Sequence, residues 1–366
     1  MDEFNQSEFL RYQRHFPVIG VDGQRQLKQA KVLCVGSGGL GCPALQYLAA
    51  AGVGTLGIVD GDMIELSNLQ RQILFQTADI GRNKAEVACE RLLALNPEIS
   101  INAYTGYLSN SNAEKIINHF DVVLDATDNY EARYLLNETC RTLNIPLISA
   151  SIYQFDAQLS VFNYKNGPCY QCLYPSPPPP ALTPNCALGG VLGVLPGVIG
   201  TMQAAEAIKV ILGIGDVLSG TLLSLDLLSM RFTQFEIEKQ HCALHPAVSF
   251  HTDMGINSCR EIVSVTALEL SHLLSSDSGT IQLIDVRQPY ERKICHIGGK
   301  HIPLVELDNY LEQMPKDQDL VLYCKSGARS AQACRTLQNA GFINVRHLKG
   351  GILEWIESVD SSLMKY

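Results

Sequence analysis

The sequence lacks the features that mark an exported, membrane-spanning or nucleic-acid-binding protein. Its opening residues, MDEFNQSEFLRYQRH, are acidic and polar where a signal peptide needs a basic end and an apolar core. A cytoplasmic protein is therefore expected. No apolar run of spanning length is uninterrupted: the least charged stretch, Ala187 to Met202, is broken by Gly189, Gly190, Gly193, Pro196, Gly197 and Gly200. That stretch reads as a buried turn, and no membrane partner is expected. Positive charge is scarce as well. A formal net charge of −9 gives no general attraction to phosphate backbones, so no nucleic-acid partner is expected. Internal repeats are missing, and the only low-complexity segment is a proline run. With 46% hydrophobic and 18% charged residues the composition is not that of a disordered chain. A length of 366 residues suits two folded domains, since domains usually run to about 100–200 residues.

Apolar runs KVLCVG (Lys31 to Gly36), TLGIVD (Thr55 to Asp60) and VVLDAT (Val122 to Thr127) alternate with helical patterns at Leu40 to Ala51, Lys84 to Leu95 and Tyr130 to Leu143. That alternation predicts βαβ units on a parallel sheet. Beyond Pro146 the pieces PLISAS, AQLSVFNY and MRFTQFEIE alternate with period two, which predicts antiparallel additions to it. The first domain, residues 1–250, is thus expected to be Rossmann-like α/β with a mixed sheet. A weakly patterned linker, 251–260, precedes a second, smaller α/β domain at 261–366 with a parallel sheet.

The strand at Lys31 to Val35 runs into Gly36, Ser37, Gly38, Gly39, Leu40 and Gly41, a G-x-G-x-x-G turn followed by a helix. Its amides and helix N-terminus can hold phosphate, and Asp60, ending the next strand, can accept hydrogen bonds from ribose hydroxyls. These alone indicate a nucleotide, with a dinucleotide as the default. The polar run Ser67, Asn68, Leu69, Gln70, Arg71, Gln72, with Lys84 at a helix start and Asp128 after a strand, changes that reading. A triphosphate needs several cations and a magnesium carboxylate, whereas a bridging diphosphate can be held largely by backbone amides. Arg71, Lys84 and Asp128 supply that set. The plainer alternative makes the two cations solvated surface charges and Asp128 a helix N-cap.

The stretches RYQRH, GSGGLG, VDGD, SNLQRQ and DATDN resemble the adenylating domain of the MoeB and ThiF family, relatives of the ubiquitin-activating enzymes. The likeness runs from Arg11 to His245. It implies ATP- and magnesium-dependent adenylation of the C-terminal glycine of a small ubiquitin-like sulfur carrier ending in Gly-Gly, with release of pyrophosphate. It further implies that Asp60 binds ribose, that Asn68, Arg71 and Lys84 contact phosphates, and that Asp128 holds magnesium. Arg14 is similar to the arginine that reaches into the partner subunit's ATP site, which implies a homodimer. The chemistry is consistent with this. A carboxylate is a weak nucleophile that repels ATP, so catalysis must come from holding it in line while cations absorb charge on the leaving pyrophosphate.

Twelve cysteines without a secretion signal argue for metal ligands and reactive thiols before a disulfide framework. Cys169-Tyr170-Gln171-Cys172 and Cys242-Ala243-Leu244-His245 form two knuckles of the kind that build a tetrahedral zinc site. The family resemblance implies four cysteines here, so His245 is a departure that makes the site Cys3His or abolishes it. Zinc is expected, because neutral imidazole is an acceptable ligand; a pair of buried or redox-active thiols is the alternative. Between Tyr174 and Cys186, PSPPPPALTPN lacks backbone donors and is expected to be an exposed, semi-extended loop. The resemblance implies that Cys186 attacks the adenylated carrier and that Cys186 to Lys209 is the family's loop-to-helix crossover. A plain exposed thiol is the alternative.

After the strand LVLYC come Cys324, Lys325, Ser326, Gly327, Ala328, Arg329 and Ser330, then a helical pattern. Sulfur there is expected to face successive amides and a helix N-terminus, which stabilise its anion. With LIDVRQPYE and HIGGKHIPL this resembles a single rhodanese domain over Glu261 to Ile356. Four residues separate Cys324 from Arg329, one fewer than in the phosphatases of this fold, which favours sulfur over phosphate. Asp285, Arg287 and Glu291 read as a structural ion-pair and capping set. The combination implies a persulfide on Cys324, received from a cysteine desulfurase persulfide or thiosulfate, that attacks the carrier adenylate directly or through Cys186. The receiving pathway, molybdopterin, thiamine or another, is not written in the chain. A nicotinamide-dependent oxidoreductase with an accessory domain, or a non-catalytic scaffold for a ubiquitin-like protein, are the competing readings.

Overall fold

Helices α1 (Gln6–Tyr12) and α2 (Phe16–Gln29) precede the first strand in the computed structural model, which describes residues 4–178, 190–242, 245, 262–275 and 281–366. The alternation then runs β1 (Lys31–Val35), α3 (Gly41–Ala51), β2 (Thr55–Val59), α4 (Lys84–Leu95), β3 (Ser100–Tyr104), α5 (Ala113–Ile117), β4 (Val122–Asp125), α6 (Tyr130–Leu143) and β5 (Leu147–Tyr153). It continues through β6 (Asp156–Phe162), α7 (Tyr170–Leu173), α8 (Val194–Leu212), β7 (Thr221–Asp226) and β8 (Arg231–Glu236). These strands form one mixed sheet ordered β3-β2-β1-β4-β5-β6-β7-β8. β1 is central, parallel to both neighbours, with Lys31 opposite Thr55 and Val32 opposite Val122. The parallel part and the antiparallel β6 to β8 agree with the expected mixed α/β sheet.

Two local readings are corrected. PLISAS is not an antiparallel addition: β5 pairs with β4 in parallel, Val123 opposite Leu147. Both of its faces are covered, Leu147 entering one core with Phe162 and Tyr170, and Ile148 and Ala150 entering the other with Ile199 and Ala204. A strand covered on both sides has no polar face to alternate. The stretch expected as a buried turn becomes helix from Val194 onward. Gly200, which reads as a breaker, lies where α8 crosses the start of α3, and a Cβ there would stand 2.3 Å from the Leu40 carbonyl oxygen. α8 is long and apolar enough to cross a membrane by length and composition. Here it is a core helix: Leu195, Ile199, Ala204 and Ala207 are buried, and Gln203 donates to the carbonyls of Asp125 (2.8 Å) and Ile148 (3.2 Å).

The contacts divide the chain into residues 1–250 and 251–366. The second unit contains β9 (Val263–Val265), α9 (Ala267–Ser275), β10 (Ile281–Asp285), α10 (Pro289–Ile294), β11 (Lys300–His301), β12 (Asp319–Tyr323), α11 (Ala328–Asn339), β13 (Val345–Leu348) and α12 (Gly351–Ser358). Its sheet, β11-β10-β12-β13-β9, is parallel throughout, as expected. Apolar residues cover both faces: Leu320 and Leu322 pack with Cys334 and Leu337, Val321 and Tyr323 with Ile352 and Trp355. Cys186, most of the proline-rich loop and the expected linker lie outside the described residues.

Candidate functional site

The residues expected to form a nucleotide site gather at the carboxyl ends of three adjacent parallel strands, β2, β1 and β4, where α/β sheets bind ligands. β1 leads into Gly36, whose φ of +93° suits glycine, and the chain turns so tightly that a Cβ on Gly41 would stand 2.0 Å from the Gly36 carbonyl oxygen. Gly38 has no such constraint, its nearest neighbour being Gln72 Nε2, and a Cβ on Gly39 would come within 3.4 Å of Arg71 Cγ. Asp60, buried at the end of β2, ties this loop down: its carboxylate accepts from Ser37 N (2.8 Å), Ser37 Oγ (2.9 Å) and Asp62 N (3.0 Å).

The cations differ in how they are held. Lys84 is buried at the start of α4, its Nζ 2.8 Å from Asp62 Oδ2, and Tyr107 donates to the other Asp62 oxygen at 2.6 Å. Partial burial works to raise the Asp62 pKa, but the bonds from Lys84 and Tyr107 hold it below the usual carboxylate value. Arg71 is half-buried and donates to the Ser67 carbonyl at 3.1 Å. Asn68 is buried and accepts from Glu65 N at 3.0 Å. Arg14 is exposed in the turn between α1 and α2, and among the described residues no hydrogen bond joins it to the other expected site residues.

Two aspartates, one ending β4 and one in the loop after it, have different surroundings. Asp125 is fully buried and accepts from Thr127 N (3.1 Å), Thr127 Oγ1 (2.7 Å) and Ser149 Oγ (2.6 Å), with Arg133 Nε 4.0 Å away. Asp128 is exposed, and no hydrogen bond or ion pair among the described residues engages its carboxylate. The capping alternative for Asp128 fails, because Asn129 caps α6, accepting from Ala132 N at 2.9 Å. Sequence reasoning missed Tyr107 and Arg133; the latter donates to the Thr127 carbonyl at 3.0 Å and so braces the loop that carries Asp128.

Cys169, Cys172, Cys242 and His245 converge, with their four ligand atoms all within 4.8 Å of one another. Cys169 Sγ lies 3.8 Å from Cys172 Sγ and 3.2 Å from His245 Nδ1, and Cys172 Sγ lies 3.3 Å from Cys242 Sγ. A zinc tetrahedron with bonds of about 2.0–2.3 Å has edges of about 3.5–3.8 Å, and these three separations lie within about half an ångström of that range. Burial pushes the Cys169 thiol up to about 12. Partial burial also works to raise Cys242, but hydrogen bonds from Cys172 and Cys169 and the charge of Lys239 hold it below its ordinary value.

In the second unit, Cys324 follows β12 and is buried under its own loop. Two donors reach its sulfur among the described residues, Gly327 N at 3.1 Å and Ser330 Oγ at 3.5 Å, which is narrower than the expected run of successive amides. Gly327, with φ of +96°, caps α11 and turns the loop back on the cysteine. Arg329 points to Glu291 of α10, with Nη1 and Nη2 on its carboxylate at 2.6 and 2.7 Å. Glu291 also closes a capping box with Gln288, and Arg287 is ion-paired with Asp285 at 2.7 Å, as the structural reading expected. No motif announces that Glu291 also holds the loop.

Comparison with known proteins places both halves. Residues 10–245 match the ThiF family and residues 266–358 the rhodanese-like domain. The chain is 41% identical over 380 residues to the probable adenylyltransferase/sulfurtransferase MoeZ of Mycobacterium tuberculosis, covering 99% of this chain and 96% of that protein. It is 41% identical over 391 residues to the adenylyltransferase and sulfurtransferase MOCS3 of Drosophila ananassae, covering 100% and 87%. Among solved structures, E. coli MccB with MccA-N7isoASN matches with a TM-score of 0.56 and 25% identity over 65% of this chain and 74% of that one. Selenomethionine-containing PaaA matches in fold with a TM-score of 0.57 and 23% identity over 66% and 76%. The chain therefore belongs to the ThiF family and carries a rhodanese-like domain on its C-terminal side.

Proposed function

We propose that this chain is an adenylyltransferase and sulfurtransferase that converts the C-terminal glycine of a ubiquitin-like sulfur carrier into a thiocarboxylate. The observation that carries the reading is the pairing, in one chain, of a nucleotide loop flanked by cations and an unengaged carboxylate with a cysteine cradled at a helix start. The names of the relatives from Mycobacterium tuberculosis and Drosophila ananassae support the same pairing. A nicotinamide enzyme would leave Lys84, Arg71 and Asp128 without a task.

In this reading the glycine-rich loop and Asp60 orient ATP by its phosphates and ribose. Asn68 contacts the phosphates, and Arg71, Lys84 and a partner subunit's Arg14 in a homodimer balance charge as the carrier carboxylate attacks the α-phosphate and pyrophosphate leaves. Magnesium, held by Asp128, would offset part of the phosphate charge. Lys84 exchanges Asp62 for phosphate. The Cys324 persulfide then attacks the carrier's activated carbonyl, AMP leaves, and a thiol reductant cleaves the acyl disulfide to the thiocarboxylate. Cys186 is the relay in the two-step variant. The test is ATP–pyrophosphate exchange with candidate carriers ending in Gly-Gly, followed by mass analysis of the carrier. Exchange with no carrier at all would sink the reading.

The four ligands around Cys169 fit a structural zinc, which would tie α7 to the strand-following segment at Cys242 and His245 and supply no chemistry to the reaction. The purified protein should contain about one zinc per chain, as expected for a four-ligand structural site. Metal analysis checks this, and His245→Ala should lower both zinc content and Tm. Metal-free protein with an unchanged Tm would show that the histidine marks a lost site.

A further inference from the structure

Beyond α12 the chain packs back on the second unit, with Leu363 and Tyr366 joining the cluster of Leu283, Val321, Tyr323 and Trp355. Tyr366 contacts three residues around the cysteine loop, Arg287, Glu291 and Lys325, and the Arg287 guanidinium also lies over its ring, 5.8 Å from the centroid. Its hydroxyl accepts from Arg287 Nη1 at 2.6 Å and donates to Glu291 Oε1 at 3.1 Å. Its ring lies under Lys325, with Nζ 4.9 Å from the centroid. Glu291 is the carboxylate that holds Arg329, so one phenol touches the holder of one loop cation through its oxygen and the other loop cation through its ring.

We propose that Tyr366 is a positioning residue for sulfur transfer at Cys324, holding Lys325 in place beside the cysteine. The proposal rests on the assignment of Cys324 as the persulfide carrier. Arg329 is neutralised by Glu291, whereas no carboxylate pairs with Lys325 among the described residues. Lys325 is thus the loop cation left for an arriving anion. In loading from thiosulfate, the Cys324 thiolate attacks the outer sulfur and a new S–S bond forms. The donor's S–S bond breaks, and sulfite leaves with the electron pair. An anion must approach an anion, and a cation fixed in advance lowers that barrier more than one on a freely turning four-carbon stem. The aromatic face supplies the fixing.

The test is the rate of persulfide loading on the full chain by thiosulfate, followed by intact mass. Tyr366→Leu should slow loading by about two- to fivefold, the factor one cation–π contact is worth at an exposed site. The thiosulfate concentration for half-maximal rate should rise more than the limiting rate falls. Tyr366→Met, apolar but ringless, should behave like leucine and decides the matter if the leucine variant does not fold. Tyr366→Phe keeps the ring and should stay near wild type. In a Lys325→Gln background, Tyr366→Leu or Tyr366→Met should have no further effect. Equal slowing in both backgrounds, or none in the wild type, overturns the proposal, because a merely structural tyrosine would act without Lys325. Cys324-dependent loading indifferent to Tyr366 overturns this inference alone, while loading that persists in Cys324→Ala overturns the sulfur-carrier assignment with it.

Discussion

Asp128→Ala should lower carrier-dependent pyrophosphate exchange by about a hundredfold or more, a loss typical for removing one group that stabilises charge in the reacting state. The fold should not register the change. Asp128 is exposed and caps nothing, and surface substitutions of that kind usually move stability by less than about 0.5 kcal/mol. Asp125, three residues earlier, predicts the opposite pattern. Its carboxylate is buried and receives Thr127 and Ser149, so Asp125→Ala leaves three donors without an acceptor and should lower Tm. Measuring exchange and Tm for both variants therefore separates a functional carboxylate from a structural one three residues away. Exchange at the wild-type rate in Asp128→Ala would remove that residue from the mechanism.

That pair also marks how far the sequence could be read. The β4–α6 segment DATDN offers two carboxylates and an asparagine, and spacing alone does not say which aspartate faces the core and which residue caps the helix. Burial decides it, and burial depends on Ser149 of β5 and Arg133 of α6, which only the folded sheet brings near. Local pattern was sufficient where one helix turn or one strand carries the signal, as in α4 and α6, whose ends match Lys84 to Leu95 and Tyr130 to Leu143. It failed where the partner is distant. Tyr107 reaches Asp62 across 45 residues, and Glu291 reaches Arg329 across 38, neither with a motif to announce it. Glycine misled in α8, since a residue that weakens an isolated helix is also one that lets two helices touch.

Cys324→Ala should eliminate sulfur transfer from thiosulfate or a persulfide donor while leaving adenylation intact. The argument rests on what surrounds each thiol. Cys324 receives the Gly327 amide and the Ser330 hydroxyl at a helix start, so fixed dipoles stabilise its anion and that of its persulfide. Cys186 follows a proline-rich segment that offers few backbone donors, and the proposed role assigns its activation to the bound adenylate or the carrier. Cys186→Ala should accordingly keep persulfide formation and reduce only delivery to the carrier. After treatment with donor and removal of reductant, intact mass should show the gain of one sulfur atom on the wild type and on Cys186→Ala, and none on Cys324→Ala. Pyrophosphate exchange should be equal in all three. A sulfur gain that survives in Cys324→Ala and disappears in Cys186→Ala would reverse the two roles, because the cradle at the start of α11 would then hold a thiol that the reaction does not use.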